Sequence, residues 1–390
     1  MNERLELDPN VEEAMAATGF SDLGADTWRE GGERLVADLQ GPAQLHEIGV
    51  EVAVGDLQSY LQNRLQITDY RARHPEIDVP IEQPVIVVGQ PRTGTTILFD
   101  LLAQDPGFRV PRSWEVDRPC PPPEPESYTT DPRIAEVQAQ FDAVDTLIPG
   151  FSAFHEVGAE LAQECVRMTG GDFRSMIFPI QYVLPDYNRW LLHEADLAPA
   201  YAWHRIYLQH LASRLPAQQW LLKSPAHLWH LPTLRAAYPD AIVIQTHRDP
   251  IRVISSITAL THSLRRMTTE QTTTALASSQ YAPDIALALD RAVAARRADV
   301  FPKEQVVDLQ FTRFVADPIG QIRRIYSEIG RDFTPLVEQR MRDFLAAHPG
   351  DGGGGGTRYS FADTGLVEGE FRERTRDYVD TFGVELEPVR

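Results

Sequence analysis

Four short, mainly apolar runs stand out along the chain, and all but one of them are rich in β-branched side chains. They cover residues 84–88, 220–223, 241–246 and 306–309. Runs of this length with few polar positions are typical of strands that are buried on both faces of a parallel sheet. The stretches between them carry apolar residues at helical spacing, with start and stop signals such as Pro250 and Gly330. The pattern predicts an α/β fold with a mostly parallel central sheet and helices on both faces.

The remaining segments are predicted to be helix or loop. Residues 1–80 form a helical prelude to the first strand, and residues 133–215 form mainly helices that are rich in aromatic side chains. The segment 119–132, PCPPPEPESYTTDP, cannot form a helix or a central strand, so we expect a long loop that serves as a linker or as a lid over a site. The length allows one large domain, and we expect a single domain over residues 1–390.

The net charge of −19 changes the range of possible partners. An acidic surface repels nucleic acid, so an anionic ligand must be held by a local basic pocket. The two cysteines, Cys120 and Cys165, form no C-x-x-C pair, which argues against a disulfide framework or a cysteine zinc site. The acidic N-terminus and the lack of a long apolar run predict a cytoplasmic protein with no membrane span.

The first candidate site is the stretch GQPRTGTT at residues 89–96, directly after the first predicted strand. It is similar to the nucleotide-triphosphate loop G-x-x-x-x-G-K-[ST], but Thr95 stands in the lysine position and Arg92 lies inside the loop. Backbone N–H groups at a helix N-terminus, three threonine hydroxyls and one guanidinium suit a terminal 5′-phosphate. The missing lysine makes magnesium-dependent chemistry on β- and γ-phosphates less favoured. The alternative is an ordinary turn from strand to helix.

Two further segments leave predicted strands at the same edge of the sheet. In THRDPIRVISS, residues 246–256, Arg248 ends a strand and Ser256 lies eight residues on, about two helical turns away. In LLKSPAHLW, residues 221–229, Lys223 ends a strand and His227 follows it. A histidine can accept a proton from a hydroxyl, and a lysine can stabilise charge on a transferring group. Taken alone, Arg248 suits a surface ion pair and His227 a structural role.

Together and in this order, the motifs GxPRTGTT, LKSPxHL and HRDPxxxxxS resemble those of the cytosolic-type sulfotransferases, most closely a bacterial branch represented in mycobacteria and other actinobacteria. The resemblance spans roughly residues 84–366. It implies a fold related to the nucleotide kinases. It also implies transfer of the sulfuryl group of 3′-phosphoadenosine 5′-phosphosulfate (PAPS) to an acceptor hydroxyl, with no metal required.

The resemblance also implies roles for individual residues. The ligands of the 5′-phosphosulfate would be Arg92, Thr93, Gly94, Thr95 and Thr96. Arg248 and Ser256 match the arginine and serine that hold the 3′-phosphate. The segment 352–366, GGGGGTRYSFADTGL, is similar to the family's glycine-and-basic segment that closes over the 3′-phosphate and adenine, with Arg358 as its cation.

The base that deprotonates the acceptor has two candidates. Many animal members have lysine-x-histidine, whereas Lys223 and His227 are four residues apart here. The second candidate is a glutamate of residues 156–164, foremost Glu160, in a segment predicted to be a helix that aligns Glu156, Glu160 and Glu164 in pairs on one face. A solvated acidic face is the alternative for those glutamates. Lys223 and Arg92 would stabilise the sulfuryl group and the leaving phosphate.

The acceptor is expected to be a hydrophobic alcohol, phenol, lipid or glycolipid, because the middle region is rich in aromatic residues. Two rival interpretations remain at this level. One is a P-loop kinase or nucleotidase, and the other is a catalytically silent nucleotide-binding protein. The pattern makes no prediction about the oligomeric state.

Overall fold

A computed structural model of the chain describes residues 2–147, 157–348 and 360–389, with the backbone only for 144–147. The chain divides into two compact units. Unit 1 consists of Met1–Ile81, Pro111–Ala217 and Thr261–Thr272, and unit 2 consists of Glu82–Val110, Gln218–Leu260 and Thr273–Arg390. Each unit is therefore assembled from three separate segments of the chain. The assignment of all 390 residues to one domain stays a prediction.

Helices make up most of the described secondary structure. In chain order the α-helices are α1 (Leu7–Thr18), α2 (Trp28–Gln40), α3 (Glu47–Arg73), α4 (Thr95–Leu102), α5 (Ser113–Asp117), α6 (Pro132–Leu147), α7 (Cys165–Thr169), α8 (Ile177–Gln181), α9 (Pro185–His193), α10 (Ala198–Ala212), α11 (Leu231–Ala237), α12 (Pro250–Arg265), α13 (Thr274–Arg297), α14 (Phe311–Ala316), α15 (Pro318–Glu328), α16 (Pro335–Ala347), α17 (Glu368–Arg374) and α18 (Arg376–Phe382). Short 3₁₀ helices cover Glu3–Leu5, Gly170–Asp172, Pro225–His230, Lys303–Gln305 and Phe361–Thr364.

Unit 2 contains a parallel sheet of strands β1 (Val85–Gly89), β2 (Leu221–Lys223), β3 (Ile242–His247) and β4 (Val306–Gln310). The strands lie in the order β2-β1-β3-β4, and every neighbouring pair is parallel. Val85 pairs with Leu221 on one side and with Ile242 on the other, so β1 is a central strand. All four predicted strands and the predicted α/β class are confirmed.

Helices cover this sheet because they carry apolar residues toward it. In α4 the buried side chains are those of Thr95, Leu98, Phe99, Leu101 and Leu102, and the helix packs on β1 and β2. Helices α14 and α15 pack on β4, and the 3₁₀ helix Pro225–His230 packs on β1 and on α13. The predicted helix start at Pro250 and the helix stop at Gly330, which has a φ of +68°, are both confirmed.

Unit 1 is helical, as predicted for residues 1–80 and 133–215. Its helices pack in pairs that include α1 with α3, α2 with α9 and α7 with α10. An aromatic cluster fills its interior, with Tyr60 in edge-on contact with Phe178 at 5.3 Å between ring centroids and Phe178 in contact with Tyr187 at 6.0 Å. Many aromatic side chains of the middle region are therefore core residues.

One predicted element of unit 1 is wrong. Of the predicted helix at 156–164, the described residues 157–164 form a turn and an isolated bridge, and α7 begins only at Cys165. The backbone of this segment pairs with residues 112–114 instead: Ser113 N–H donates to Leu161 O at 3.0 Å, and Trp114 N–H donates to Ala159 O at 3.0 Å. The predicted loop at 119–132 is confirmed up to Pro132, which starts α6.

Candidate active site

The carboxyl ends of β1, β2 and β3 meet at one edge of the sheet, because all three strands run parallel. The loop 89–96 leaves β1, Lys223 ends β2 and Arg248 follows β3. In open α/β sheets this edge is where ligands bind. The structure thus brings the three sequence motifs together within unit 2.

The backbone conformation of the loop 89–96 restricts which residues can stand at several of its positions. A Cβ on Gly89 would lie 2.1 Å from Thr246 Oγ1. The loop therefore approaches β3 so closely that only glycine fits at position 89. Gly94 has a φ of +81° and caps the N-terminus of α4. Arg92 also has a left-handed backbone, with a φ of +68°, which is uncommon outside glycine. Such conformations are concentrated at functional sites.

The hydroxyl of Thr93 holds this loop in place. Its Oγ1 donates to the carbonyl of Gln90 at 2.6 Å and lies 2.6 Å from Thr246 Oγ1 on β3, and the residue is 1% exposed. The structure therefore gives Thr93 a role in anchoring the loop to the sheet. Its predicted role as a direct ligand stays a prediction.

An ammonium group reaches the loop from the neighbouring strand. Lys223 Nζ donates to Thr96 Oγ1 at 3.2 Å, and the lysine is 1% exposed. Thr95, which stands in the lysine position of the nucleotide-triphosphate loop, is 3% exposed. The loop thus has two cations near it, Arg92 from its own sequence and Lys223 from β2.

The residues predicted for the two phosphate subsites are directly bonded to each other. Arg92 Nε donates to Ser256 Oγ at 3.0 Å, and Arg248 Nη1 donates to the backbone carbonyl of Arg92 at 2.9 Å. These contacts join residues that are 164 and 156 positions apart in the sequence. Arg92, Arg248 and Ser256 therefore form one cluster, which suits a ligand with two anionic groups.

Sequence reasoning missed the carboxylate that pairs with Arg248. Glu387, in the C-terminal tail, accepts from Arg248 Nε at 2.7 Å and from Nη2 at 3.0 Å. The guanidinium also stacks over the ring of Phe311, with 3.9 Å from Cζ to the ring centroid. Glu387 lies 139 positions after Arg248, and the surrounding tail has no motif that would identify it.

His227 is buried in the 3₁₀ helix Pro225–His230, whose first turn is capped by Ser224 Oγ accepting from Ala226 N–H at 3.2 Å. The residue is 3% exposed, and burial lowers the pKa of its imidazole to about 3. The imidazole is therefore neutral near pH 7, as a general base must be, while its lowered pKa makes it a weaker base than an exposed histidine.

Glu160, the other candidate base, belongs to unit 1. Its carboxylate accepts from Arg112 Nη1 at 3.2 Å, and its side chain is 58% exposed. Arg112 also lies over the ring of Tyr128, at 5.1 Å. Glu160 therefore has a basic neighbour, and its carboxyl group is also open to solvent.

Some predicted residues lie outside the described part of the chain, namely Arg358, Glu156 and the glycine run 352–356. In the described ranges, no group of three or more histidine, cysteine, aspartate or glutamate side chains could hold a metal ion. Over the same ranges, no helix is both long enough and apolar enough to span a bilayer.

A phosphate-type loop between a central strand and a helix, with arginines at the carboxyl edge of a parallel sheet, is typical of P-loop-like α/β proteins that bind anionic ligands at this edge. The model of the Sulfotransferase family matches residues 84–335. The chain belongs to the sulfotransferase family and is an enzyme of the sulfotransferase type. Both the predicted family and the predicted enzyme class are confirmed.

Mycobacterial relatives support this assignment. The crystal structure of sulfotransferase STF9 from Mycobacterium avium superposes with a TM-score of 0.89, at 30% identity over 99% of each chain. Sulfotransferase STF1 from Mycobacterium tuberculosis H37Rv gives 0.84 at 29% identity, over 95% of this chain and 98% of that one. The omega-hydroxy-beta-dihydromenaquinone-9 sulfotransferase Stf3 of Mycobacterium bovis is 26% identical over 273 residues, which is 68% of each chain.

Proposed function

We propose that the enzyme takes the sulfuryl group from PAPS and transfers it in line to a hydroxyl of a small hydrophobic acceptor. The observation that carries this proposal is the cluster of Arg92, Ser256 and Arg248, in which the predicted 5′ and 3′ anion subsites share hydrogen bonds. A nucleotide with phosphate groups at both positions matches two neighbouring guanidinium groups better than a simple 5′-phosphate does.

The groups around the start of α4 have distinct tasks in this proposal. The backbone N–H groups at the start of α4, with the Arg92 guanidinium, hold the 5′-phosphosulfate. Lys223, held against Thr96 at 3.2 Å, places an ammonium group beside the transferring group and stabilises the charge that develops there. The bound donor supplies the activated sulfuryl group, and positioning and electrostatics supply the catalysis.

The acceptor loses its proton to His227 or to Glu160. His227 is favoured by its position one turn after Lys223 at the sheet edge. Glu160 is the alternative, and its carboxyl group accepts a hydrogen bond from Arg112 Nη1 at 3.2 Å. Replacing each one separately distinguishes them: His227→Gln or Glu160→Gln lowers the turnover number strongly only if that residue is the base, while the affinity for the donor product remains.

The proposed acceptor is a lipid or another apolar molecule with a free hydroxyl. The relative Stf3 is named as a sulfotransferase of omega-hydroxy-beta-dihydromenaquinone-9, a quinone-derived molecule that carries a hydroxyl group. The aromatic-rich middle region of this chain is consistent with an apolar acceptor, although its helices bury many of these rings in their own core.

The test has two arms. Calorimetry compares adenosine 3′,5′-bisphosphate, the product of PAPS, with ATP and magnesium. We expect the bisphosphate to bind and Arg248→Ala to weaken it by about 10-fold to 100-fold, because a charge-assisted pair is lost. Transfer of labelled sulfate from PAPS to a panel of phenols, sterols, hydroxylated quinones and sugars then identifies the acceptor class.

The outcomes separate the rivals. Binding of ATP and magnesium without the bisphosphate would favour a kinase or nucleotidase. Binding of the bisphosphate without sulfate transfer to any acceptor would favour a silent nucleotide-binding protein. Unchanged bisphosphate affinity in Arg248→Ala would remove Arg248 from the 3′-phosphate subsite.

A further inference from the structure

The C-terminal tail after α18 ends at the predicted 3′-phosphate subsite. Glu387 meets Arg248 in a bidentate pair at 2.7 and 3.0 Å, and its carboxylate also lies 3.9 Å from Arg252 Nε. The side chains of Arg248, Arg252 and Glu387 are 9%, 10% and 16% exposed. A carboxylate is thus held between two arginines in a largely dehydrated position, where a phosphate would be expected.

The backbone of the tail is fixed at the same point. The N–H of Glu387 donates to Asp249 Oδ2 at 2.9 Å, and Arg372 Nη1 donates to the same oxygen at 3.3 Å. Asp249 is fully buried and its other oxygen accepts from Ile251 N–H at 3.0 Å, in the first turn of α12. The tail is therefore attached to the residue next to Arg248 by its backbone as well as by its side chain.

The pair occupies the face of Arg248 that recognises anions. A guanidinium binds carboxylate or phosphate through two parallel N–H donors, and here Nε and Nη2 both point at Glu387. The Nη1 donor is used by the carbonyl of Arg92. A 3′-phosphate can use this Nε and Nη2 edge of Arg248 only after the carboxylate has moved.

We propose that Glu387 is an autoinhibitory residue: its carboxylate occupies the 3′-phosphate subsite and is displaced by the 3′-phosphate of the donor nucleotide. This inference rests on the proposed use of PAPS. A dianionic phosphate makes stronger charge-assisted bonds with Arg248 and Arg252 than a carboxylate does, so it can replace Glu387. A nucleotide with a plain 3′-hydroxyl has no group that competes for Arg248, and it leaves the pair intact.

The variant Glu387→Gln tests this inference because it removes the competing charge and keeps the size of the side chain. We expect it to bind adenosine 3′,5′-bisphosphate about 10-fold more tightly than the unchanged enzyme, and to bind adenosine 5′-monophosphate with unchanged affinity. Glu385→Gln is the matched control. Glu385 lies two residues before Glu387 in the same tail. Among the described hydrogen bonds, it accepts from Arg313 Nε at 2.8 Å and from the hydroxyl of Thr312.

A second measurement follows the displacement directly in the unchanged enzyme. Hydrogen exchange of a C-terminal peptide that contains Glu387 reports on its N–H, which is bonded to Asp249. We expect adenosine 3′,5′-bisphosphate to accelerate this exchange and adenosine 5′-monophosphate to leave it unchanged. This readout does not depend on how well any variant folds.

Each contrary result has a separate meaning. If the bisphosphate binds but Glu387→Gln leaves its affinity unchanged or weakens it, the pair is architectural and the inference is overturned. An equal gain in affinity for both nucleotides in Glu387→Gln would place Glu387 outside the 3′-phosphate subsite. An unchanged rate of hydrogen exchange on binding the bisphosphate would show that the tail stays in place. If the unchanged enzyme and both tail variants unfold normally and none binds the bisphosphate, the proposed function itself fails.

Discussion

Replacing His227 by glutamine should change how the stability of the enzyme depends on pH. Burial lowers the pKa of this imidazole to about 3, whereas in the unfolded chain it titrates near its ordinary value of about 6.5. Below about pH 6.5 the unfolded state binds a proton that the folded state excludes. The stability contributed by the neutral imidazole is therefore fully present above about pH 6.5 and is lost progressively as the pH falls toward about 3.

The magnitude follows from the width of this window. Each pH unit inside it costs about 1.4 kcal/mol per imidazole, which amounts to roughly 2 kcal/mol between about pH 6.5 and about pH 5. Glutamine has no such proton, so the difference in unfolding free energy between the enzyme and His227→Gln should shrink by that amount on acidification. The comparison uses the slope of the unfolding free energy against pH, so the effect of the substitution on packing, which is the same at every pH, cancels.

The assay is urea unfolding, followed by intrinsic fluorescence, over several pH values between about 7.5 and about 5. His193→Gln is the control, because that residue is exposed at the end of α9 and meets similar solvent in the folded and unfolded states. We expect the unfolding free energy of His193→Gln to change with pH in parallel with that of the unchanged enzyme. Parallel curves for His227→Gln as well would show that His227 titrates normally in the folded enzyme, and would refute the inference drawn from its burial.

Four further outcomes can be measured with single substitutions. Lys223→Gln should lower the turnover number about 100-fold in the sulfate-transfer assay, and near-normal turnover would remove the ammonium group from the mechanism. Gly94→Ala should lower the free energy of unfolding by about 1–3 kcal/mol, because its φ is +81° and the new Cβ would lie 2.9 Å from the ring of Phe311; an unchanged unfolding midpoint would show that the loop relaxes freely. Asp105→Asn should cost about 2 kcal/mol in the same measurement, since the buried carboxylate accepts from Arg331 Nε at 2.9 Å, and a neutral effect would mean that water replaces this contact. The pH profile of kcat/KM should show no acid limb near pH 6.5, since the free enzyme keeps the His227 imidazole neutral there; an acid limb near pH 6.5 that disappears in His227→Gln would show that this imidazole titrates in its ordinary range.

The strands and the phosphate loop could be predicted because their signals are local. A short apolar run, a glycine turn and a helix start lie next to each other in residues 84–102, and tertiary contacts only reinforce them. The same holds for the strand ends at Lys223 and Arg248, since parallel strands bring their carboxyl ends to one edge whatever the connections between them are.

The features that could not be predicted depend on contacts between distant segments. The pair of Arg248 with Glu387 spans 139 positions, and no local pattern marks a glutamate in a tail as its partner. The glutamates of 157–164 failed as a helix for a similar reason: their spacing suits a helix, but the bridge from Arg112 to Ala162 takes up the backbone. Arg92, with its left-handed backbone, likewise lies in a loop that Thr93 attaches to Thr246, and composition does not reveal this contact.

The order of strands along the sheet has a consequence for how the chain is made. Among the strands of the described residues, β1 is synthesised before the others and is a central strand, and its partners Leu221 and Ile242 follow Val85 by more than 130 residues. Until then both edges of a Val-Ile-Val-Val segment lack their native partners, which is a state prone to aggregation. Such long sequence separations also slow folding, because the loop-closure entropy is lost before the contacts form. The sheet edge that carries the active site therefore matures late, and the yield of active enzyme in a cell should depend on translation speed and on chaperone capacity.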